Sequence, residues 1–265
     1  MRLVATDLDG TLLRADGSAS PRTRAALGAC FEAGVDVVMV TGRPVRWMAP
    51  VADLADHHGM AVCSNGAVRY DLHDERVLSW RALTAETVLA AAAALRAQYP
   101  DADFAVETLQ GLRREAGYQE NHADLTRAPV GELADLLADE PQVIKLLWRG
   151  RDVSADDLLA VARSALQGIA SPVHSGAMGC LIEISALGVD KASGLAQLAA
   201  ERGIDPADVV AFGDMPNDVP MLSWAGRSYA VADAHPEALA AATGTAPSCE
   251  DDGVAQVIEQ LLAAR

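Results

Sequence analysis

Apolar residues in the first third of the chain fall in short runs separated by helically spaced stretches. Leu3–Thr6 has strand length. A helix is expected from Ser20-Pro21, with serine as N-cap and proline in the first turn, ending at Gly34. Val35–Val40 is a valine-rich run, the pattern of a strand buried on both faces. Thr41-Gly42-Arg43-Pro44 closes that strand and opens a helix predicted to run to about His58. A third strand, Met60–Cys63, ends in Ser64-Asn65-Gly66. Strand, helix, strand, helix, strand predicts a parallel sheet with helical crossovers.

The middle of the chain has another rhythm. Arg69–Leu72 and Arg76–Trp80 flank His73-Asp74-Glu75 and predict a hairpin. A helix over Thr84–Gln98, a strand at Phe104–Glu107, a short helix at Gly131–Ala138 and a strand at Gln142–Trp148 follow. A helix from Ser154 to Gln167 then leads to strands near Ser171–His174 and Cys180–Ile184, while polar Gly111–Asn121 is expected to be loop. Neighbouring strands of this kind suit an α+β module. After Gly188 the alternation returns, with a helix from Asp190-Lys191, strands at Val209–Phe212 and Tyr229–Val231, and helices at Glu237–Ala242 and Val254–Ala263. The expected organisation is a discontinuous α/β core, residues 1–81 and 186–265, interrupted by an insert at 82–185.

Composition narrows the functional classes. The 265 residues are 51% hydrophobic but only 4% aromatic, so the core must be mostly Ala, Val and Leu. A formal charge of −16 argues against a nucleic-acid partner, whose phosphates demand a basic surface. The four cysteines, Cys30, Cys63, Cys180 and Cys249, show neither disulfide nor zinc spacing. Asp7 and Asp9 interrupt the amino-terminal apolar run, unlike a signal peptide, and no apolar run reaches the ~20 residues of a membrane span. The expectation is a cytoplasmic protein.

The chemistry concentrates at the ends of predicted strands. Asp7 and Asp9 follow the first strand two residues apart, so in extended backbone both project to one side. Neighbouring carboxylates repel, which a cation or a proton-transfer role would account for. Thr41 with Gly42-Arg43, Lys191, and Gly213-Asp214-Met215-Pro216-Asn217-Asp218 occupy corresponding places at strand ends or helix starts. In a doubly wound sheet these groups would converge beyond the carboxyl ends of the strands. Carboxylates suit a hard divalent cation such as Mg²⁺, and a hydroxyl, a lysine and glycine-associated amides suit a phosphate. Together they describe phosphoryl transfer with a carboxylate nucleophile.

Asp7-Leu8-Asp9-Gly10-Thr11-Leu12-Leu13, Thr41-Gly42-Arg43, Lys191 and Gly213-Asp214 through Asn217-Asp218 resemble, in order and spacing, the four motifs of the haloacid dehalogenase (HAD) superfamily phosphatases. The large insert, with Ser64-Asn65-Gly66-Ala67 ahead of it, resembles the Cof-type branch with a C2-class cap. This resemblance implies a Rossmann-like HAD core with a parallel sheet, an inserted α+β cap domain, and a Mg²⁺-dependent phosphatase acting on small phosphate monoesters such as sugar phosphates or phosphorylated cofactors. It implies Asp7 as nucleophile and Asp9 as general acid, then base. It also implies Mg²⁺ on the Asp7 carboxylate, the Asp9 carbonyl and Asp214, with Asp218 supporting that shell or orienting Lys191. Thr41, Gly42, Lys191 and Asn217 would hold the phosphoryl group.

Arg43 and Asn65 are candidates for the substrate side. In the insert, Lys145 stands out because it interrupts an apolar strand; Arg113, Arg114, Glu115 and His174 are further polar candidates. A phosphomutase-like phosphotransferase and a non-enzymatic phospho-acceptor or ligand sensor are the competing functions. A long insert is foreign to a simple receiver domain, and Asp9, Asp214 and Asp218 suit phosphate chemistry better than halide displacement.

Overall fold

The computed structural model describes residues 1–118, 126–139, 141–151, 153–176 and 180–264. The chain divides into two compact units, Met1–Ser79 with Asp190–Arg265, and Trp80–Val189. The first pass through unit one comprises β1 (Leu3–Thr6), α1 (Pro21–Glu32), β2 (Asp36–Val40), α2 (Ala49–Leu54), β3 (Met60–Cys63), β4 (Val68–Asp71) and β5 (Arg76–Trp80). Unit two holds α3 (Ala85–Arg96), β6 (Phe104–Thr108), β7 (Gly111–Arg114), α4 (Leu133–Leu136), β8 (Val143–Arg149), α5 (Ala155–Ala165), β9 (Ala170–Val173) and β10 (Leu181–Ala186). The chain returns to unit one through α6 (Lys191–Glu201), β11 (Val209–Gly213), α7 (Val219–Trp224), β12 (Arg227–Val231), α8 (Pro236–Ala241), β13 (Gly244–Ala246) and α9 (Gly253–Ala263).

Among the described residues, unit one forms an eight-stranded sheet in the order β13-β12-β11-β1-β2-β3-β4-β5. Its members from β13 to β3 are parallel, and β4 runs antiparallel to β3. The central strands β1, β2, β3 and β11 are largely buried because helices cover the sheet: Leu3, Val38, Val62, Leu195, Val209 and Leu222 share one core. β1 lies between β2 and β11, so consecutive strands depart from it on both sides. In such sheets the carboxyl ends of these strands border a crevice, and Asp7, Thr41 and Asp214 stand at those ends.

Local chemistry fixes the helix bounds. Ser20 caps α1 by accepting from the Thr23 amide, and Pro21 opens the helix. The single helix expected from Arg43 to His58 is instead a 3₁₀ turn, Val45–Trp47, followed by α2. Pro50 lacks the amide that a continuous helix would use and starts a new one instead. Left-handed Asp56 and His57, φ 50° and 54°, end α2 early.

Among the described residues, unit two forms a five-stranded sheet in the order β7-β6-β8-β10-β9, with neighbouring strands antiparallel. α3 and α5 pack on the face carrying Phe104, Val106, Leu146, Trp148, Ile182 and Ile184. The stretch expected to be loop from Gly111 contains β7, an edge strand paired to β6; its end, 119–121, lies outside the described residues. Consecutive Arg113 and Arg114 obscure the alternation that marks a strand. Arg113 is held by the Leu136 carbonyl at 2.8 Å and by Asp139.

Candidate active site

The Asp7 amide donates to the Phe212 carbonyl at 3.0 Å, carrying the β1–β11 pairing one residue beyond the strand and presenting a buried carboxylate at the sheet edge. After Leu8 the chain turns sharply: the Leu12 and Leu13 amides both donate to the Leu8 carbonyl, at 3.0 and 2.7 Å. Gly10 sits in that turn at φ +83°, and a Cβ there would lie 2.5 Å from Asp214 Oδ2. Only glycine permits both the conformation and the approach of Asp214.

Lys191 is the first residue of α6, placed by a capping box in which Asp190 accepts from the Ser193 amide at 2.7 Å and Ser193 Oγ accepts from the Asp190 amide at 3.0 Å. Its fully buried ammonium donates to Asp7 Oδ1 and Asp218 Oδ1, each at 2.5 Å. The two carboxylates hold its pKa above the usual lysine range despite the opposing effect of burial. Asp218 is itself oriented by the Asp214 and Met215 amides, both donating to its Oδ2 at 3.0 Å.

Carboxylate oxygens of Asp7, Asp214 and Asp218 lie within 4.8 Å of one another. Burial is the main cause that raises Asp7 well above the usual carboxylate range, with Asp218, Asp214 and Asp9 adding repulsion against the pull of Lys191. Burial and then Asp218 push Asp214 up to about 7, although Thr11 Oγ1 donates to it at 2.8 Å. One lysine does not balance this much buried negative charge, and the all-oxygen donor set matches a hard divalent cation.

Asp9, more exposed than Asp7, is gripped by Arg43, whose Nε and Nη2 donate to its two oxygens at 2.8 and 2.5 Å. Thr41 Oγ1 accepts from the Arg43 amide at 3.0 Å, with Gly42 between them in the turn after β2. Asn217 Nδ2 donates to Asn65 Oδ1 at 3.0 Å, and Asn217 Oδ1 is buried with no hydrogen-bond partner among the described residues. The structure therefore joins Asp7, Lys191, Asp214 and Asp218 in one cluster, Asp9 with Arg43, and Asn65 with Asn217. Thr11 is a residue that sequence reasoning missed; its place directly after Asp9-Gly10 was the available signal.

Residues 4–258 match the haloacid dehalogenase-like hydrolase family. The chain belongs to that family. Within it, the chain is a Cof-type phosphatase, and the separate antiparallel sheet of its second unit is consistent with a cap domain. It is 28% identical to the phosphoglycolate phosphatase of Methanothermobacter thermautotrophicus, covering 99% of each chain. It is also 28% identical to the pyridoxal phosphate phosphatase YbhA of Escherichia coli, covering 97% of each. The solved structure of SMU.1108c from Streptococcus mutans UA159 superimposes with a TM-score of 0.84 at 25% identity, over 99% of each chain. As a member of this family the protein is a phosphoric monoester hydrolase. Among the described residues, no helix is long and apolar enough to cross a membrane.

In unit two, Lys145 is buried and ion-paired with Glu183 from β10. Glu115 is occupied by Arg96 at 2.6 Å and by the Phe104 amide at 2.7 Å, and His174 Nε2 lies 2.9 Å from Asp156. Glu115 and Arg113 thus have structural partners that the sequence did not reveal.

Proposed function

We propose that the protein is a Mg²⁺-dependent phosphatase that hydrolyses small phosphate monoesters through an aspartyl phosphate on Asp7. The observation that carries this mechanism is the Lys191 ammonium, donating at 2.5 Å both to Asp7 and to Asp218. A buried cation beside a candidate nucleophile keeps its attacking oxygen in place and offers positive charge to phosphoryl oxygens.

In the first half-reaction an Asp7 carboxylate oxygen attacks phosphorus and the bond to the leaving alcohol oxygen breaks. Asp9 gives that oxygen its proton. In the second, Asp9 takes a proton from water, whose oxygen attacks phosphorus while the bond to Asp7 breaks. Alcohol and inorganic phosphate leave, and both carboxyl groups return to their starting states. Arg43 grips Asp9 through both oxygens, so Asp9 must leave part of this pairing to donate its proton. Thr41, Gly42, Lys191 and Asn217 hold the phosphoryl oxygens; Arg43, Asn65 and Lys145 contribute to substrate recognition.

Asp7, the Asp9 carbonyl and Asp214 would hold the metal, with Asp218 orienting Lys191. When bound, Mg²⁺ supplies the positive charge that lets neighbouring carboxylates ionise together. The relatives named for phosphoglycolate and pyridoxal phosphate extend the substrate class to phosphorylated small acids and cofactors as well as sugar phosphates. Acid quenching during turnover, followed by peptide mass spectrometry, should find a phosphoryl group on Asp7. Turnover with no such adduct at any quench time would refute the covalent mechanism, and an isomeric sugar phosphate in place of free phosphate would assign a mutase.

A further inference from the structure

The turn Ser64-Asn65-Gly66 holds three successive residues in left-handed backbone, φ 51°, 54° and 99°. All three are buried. Two are not glycine, and such a conformation persists only where its surroundings over-determine it. Here the surroundings are three separated parts of the phosphate site. The Asn65 amide donates to the Thr41 carbonyl at 3.0 Å, and the Ser64 amide to the Arg43 carbonyl at 3.0 Å, so the turn folds back onto the end of β2. The Asn65 side chain reaches Asn217. Gly66 meets the start of α6 so closely that a Cβ on it would lie 1.9 Å from the Asp190 carbonyl oxygen and 3.3 Å from the Lys191 amide nitrogen. Gly194, one turn further along α6, completes the fit: its Cβ would lie 2.8 Å from Gly66 Cα.

We infer that Ser64-Asn65-Gly66 is a positioning element that sets Thr41, Lys191 and Asn217 in register around one phosphoryl group, with Asn65 and Gly66 as its positioning residues. The inference depends on the phosphate-site mechanism proposed above. Its physical basis is that no sequence neighbour links these three groups. Thr41 ends β2, Lys191 opens α6, and Asn217 lies in the turn before α7. The Gly66–Asp190 approach fixes where the first turn of α6 begins, and hence where the Lys191 side chain starts toward Asp7. The Asn65–Asn217 bond fixes the plane of the Asn217 amide. Left-handed backbone at Ser64 and Asn65 brings both contacts within the span of one turn.

Two variants separate the backbone role from the side-chain role. Gly66→Ala forces α6 outward or the turn to rearrange. Asn65→Gly accommodates the left-handed backbone and removes the side chain that accepts from Asn217. Turnover, KM and inhibition by inorganic phosphate would be measured well below the melting temperature of each variant. Leu27→Ala, in the core beneath α1, serves as the control for lost stability. Both turn variants should lose at least tenfold in kcat and several-fold in phosphate affinity. Asn65→Asp, which keeps the acceptor oxygen, should recover part of the loss, and Leu27→Ala should change neither quantity. If Gly66→Ala does not fold, Asn65→Gly and Asn65→Asp decide. A folded Asn65→Gly with kcat and phosphate affinity within twofold of wild type would overturn the inference. Lys191→Met tells this failure from failure of the site assignment: an active Lys191→Met refutes the assignment, whereas an inactive one beside a normal Asn65→Gly refutes only the positioning role.

Discussion

Replacing Asp214 by asparagine in the metal-free protein should raise stability in a pH-dependent way. Burial and repulsion by Asp218 push the Asp214 carboxyl up to about 7 from its ordinary 3.8. Between those values the folded protein keeps a proton that the unfolded chain has released. The resulting stabilisation is complete below the unfolded value and is lost as pH rises through the folded one. At about 1.4 kcal/mol per pKa unit, the loss by pH 8 reaches about 4 kcal/mol, an upper figure because Asp7 shares the same field. Asparagine has nearly the same shape, can still accept from Thr11 Oγ1 and can still hydrogen-bond to Asp7, so the substitution mainly removes the repulsion. In a unit of this size 1 kcal/mol moves Tm by about 2–4 °C. Thermal melts followed by circular dichroism in EDTA should therefore place Asp214→Asn about 5–15 °C above wild type at pH 8, and within a few degrees near pH 4.5. Parallel melting curves across that pH range would refute the electrostatic account of this cluster.

Lys191→Met should strand two buried carboxylates, lowering stability by about 3–5 kcal/mol in denaturant titrations at pH 8 and cutting phosphate release by about a thousandfold. Arg43→Ala should lower kcat about tenfold or more by leaving Asp9 without its two-pronged partner; Arg43→Lys, which keeps the charge but not the fork, should recover only part of it in steady-state assays. Lys145→Ala should alter KM or the ranking of a phosphate-ester panel more than the basal rate, and an unchanged ranking would remove Lys145 from substrate recognition. The same variant should lower Tm by removing the ammonium paired with buried Glu183, a loss that Glu183→Gln in the same chain should partly restore.

The parallel architecture was legible because β1, β2, β3 and β11 are short apolar runs closed by polar turns, and that pattern depends only on local sequence. The carboxylate cluster was legible in kind for a related reason: strand ends in such a sheet share one edge. Partnerships were not legible, since Arg43 finds Asp9 across 34 residues and Lys145 finds Glu183 across 38. Nothing in the local pattern chooses among the acids available to each cation. Arg43, expected on the substrate side, also grips Asp9, a pairing its local sequence does not announce. Elements with weak apolar signals were also missed. β7 carries two adjacent arginines, and β13 is only Gly-Thr-Ala at the edge of the sheet. The helix expected from Arg43 to His58 looked continuous because a proline can read as either an interruption or a helix start, and only packing settles which. The Ser64–Gly66 turn is the sharpest case: its residue types announce a turn, but not that it touches three parts of the phosphate site.

The most direct test of the central claim is phosphate release from an aryl phosphate by wild type and Asp7→Asn, each with Mg²⁺ and with EDTA. The account predicts release by the wild type with Mg²⁺, its loss in EDTA, and none from Asp7→Asn under either condition. Release retained by Asp7→Asn would contradict it.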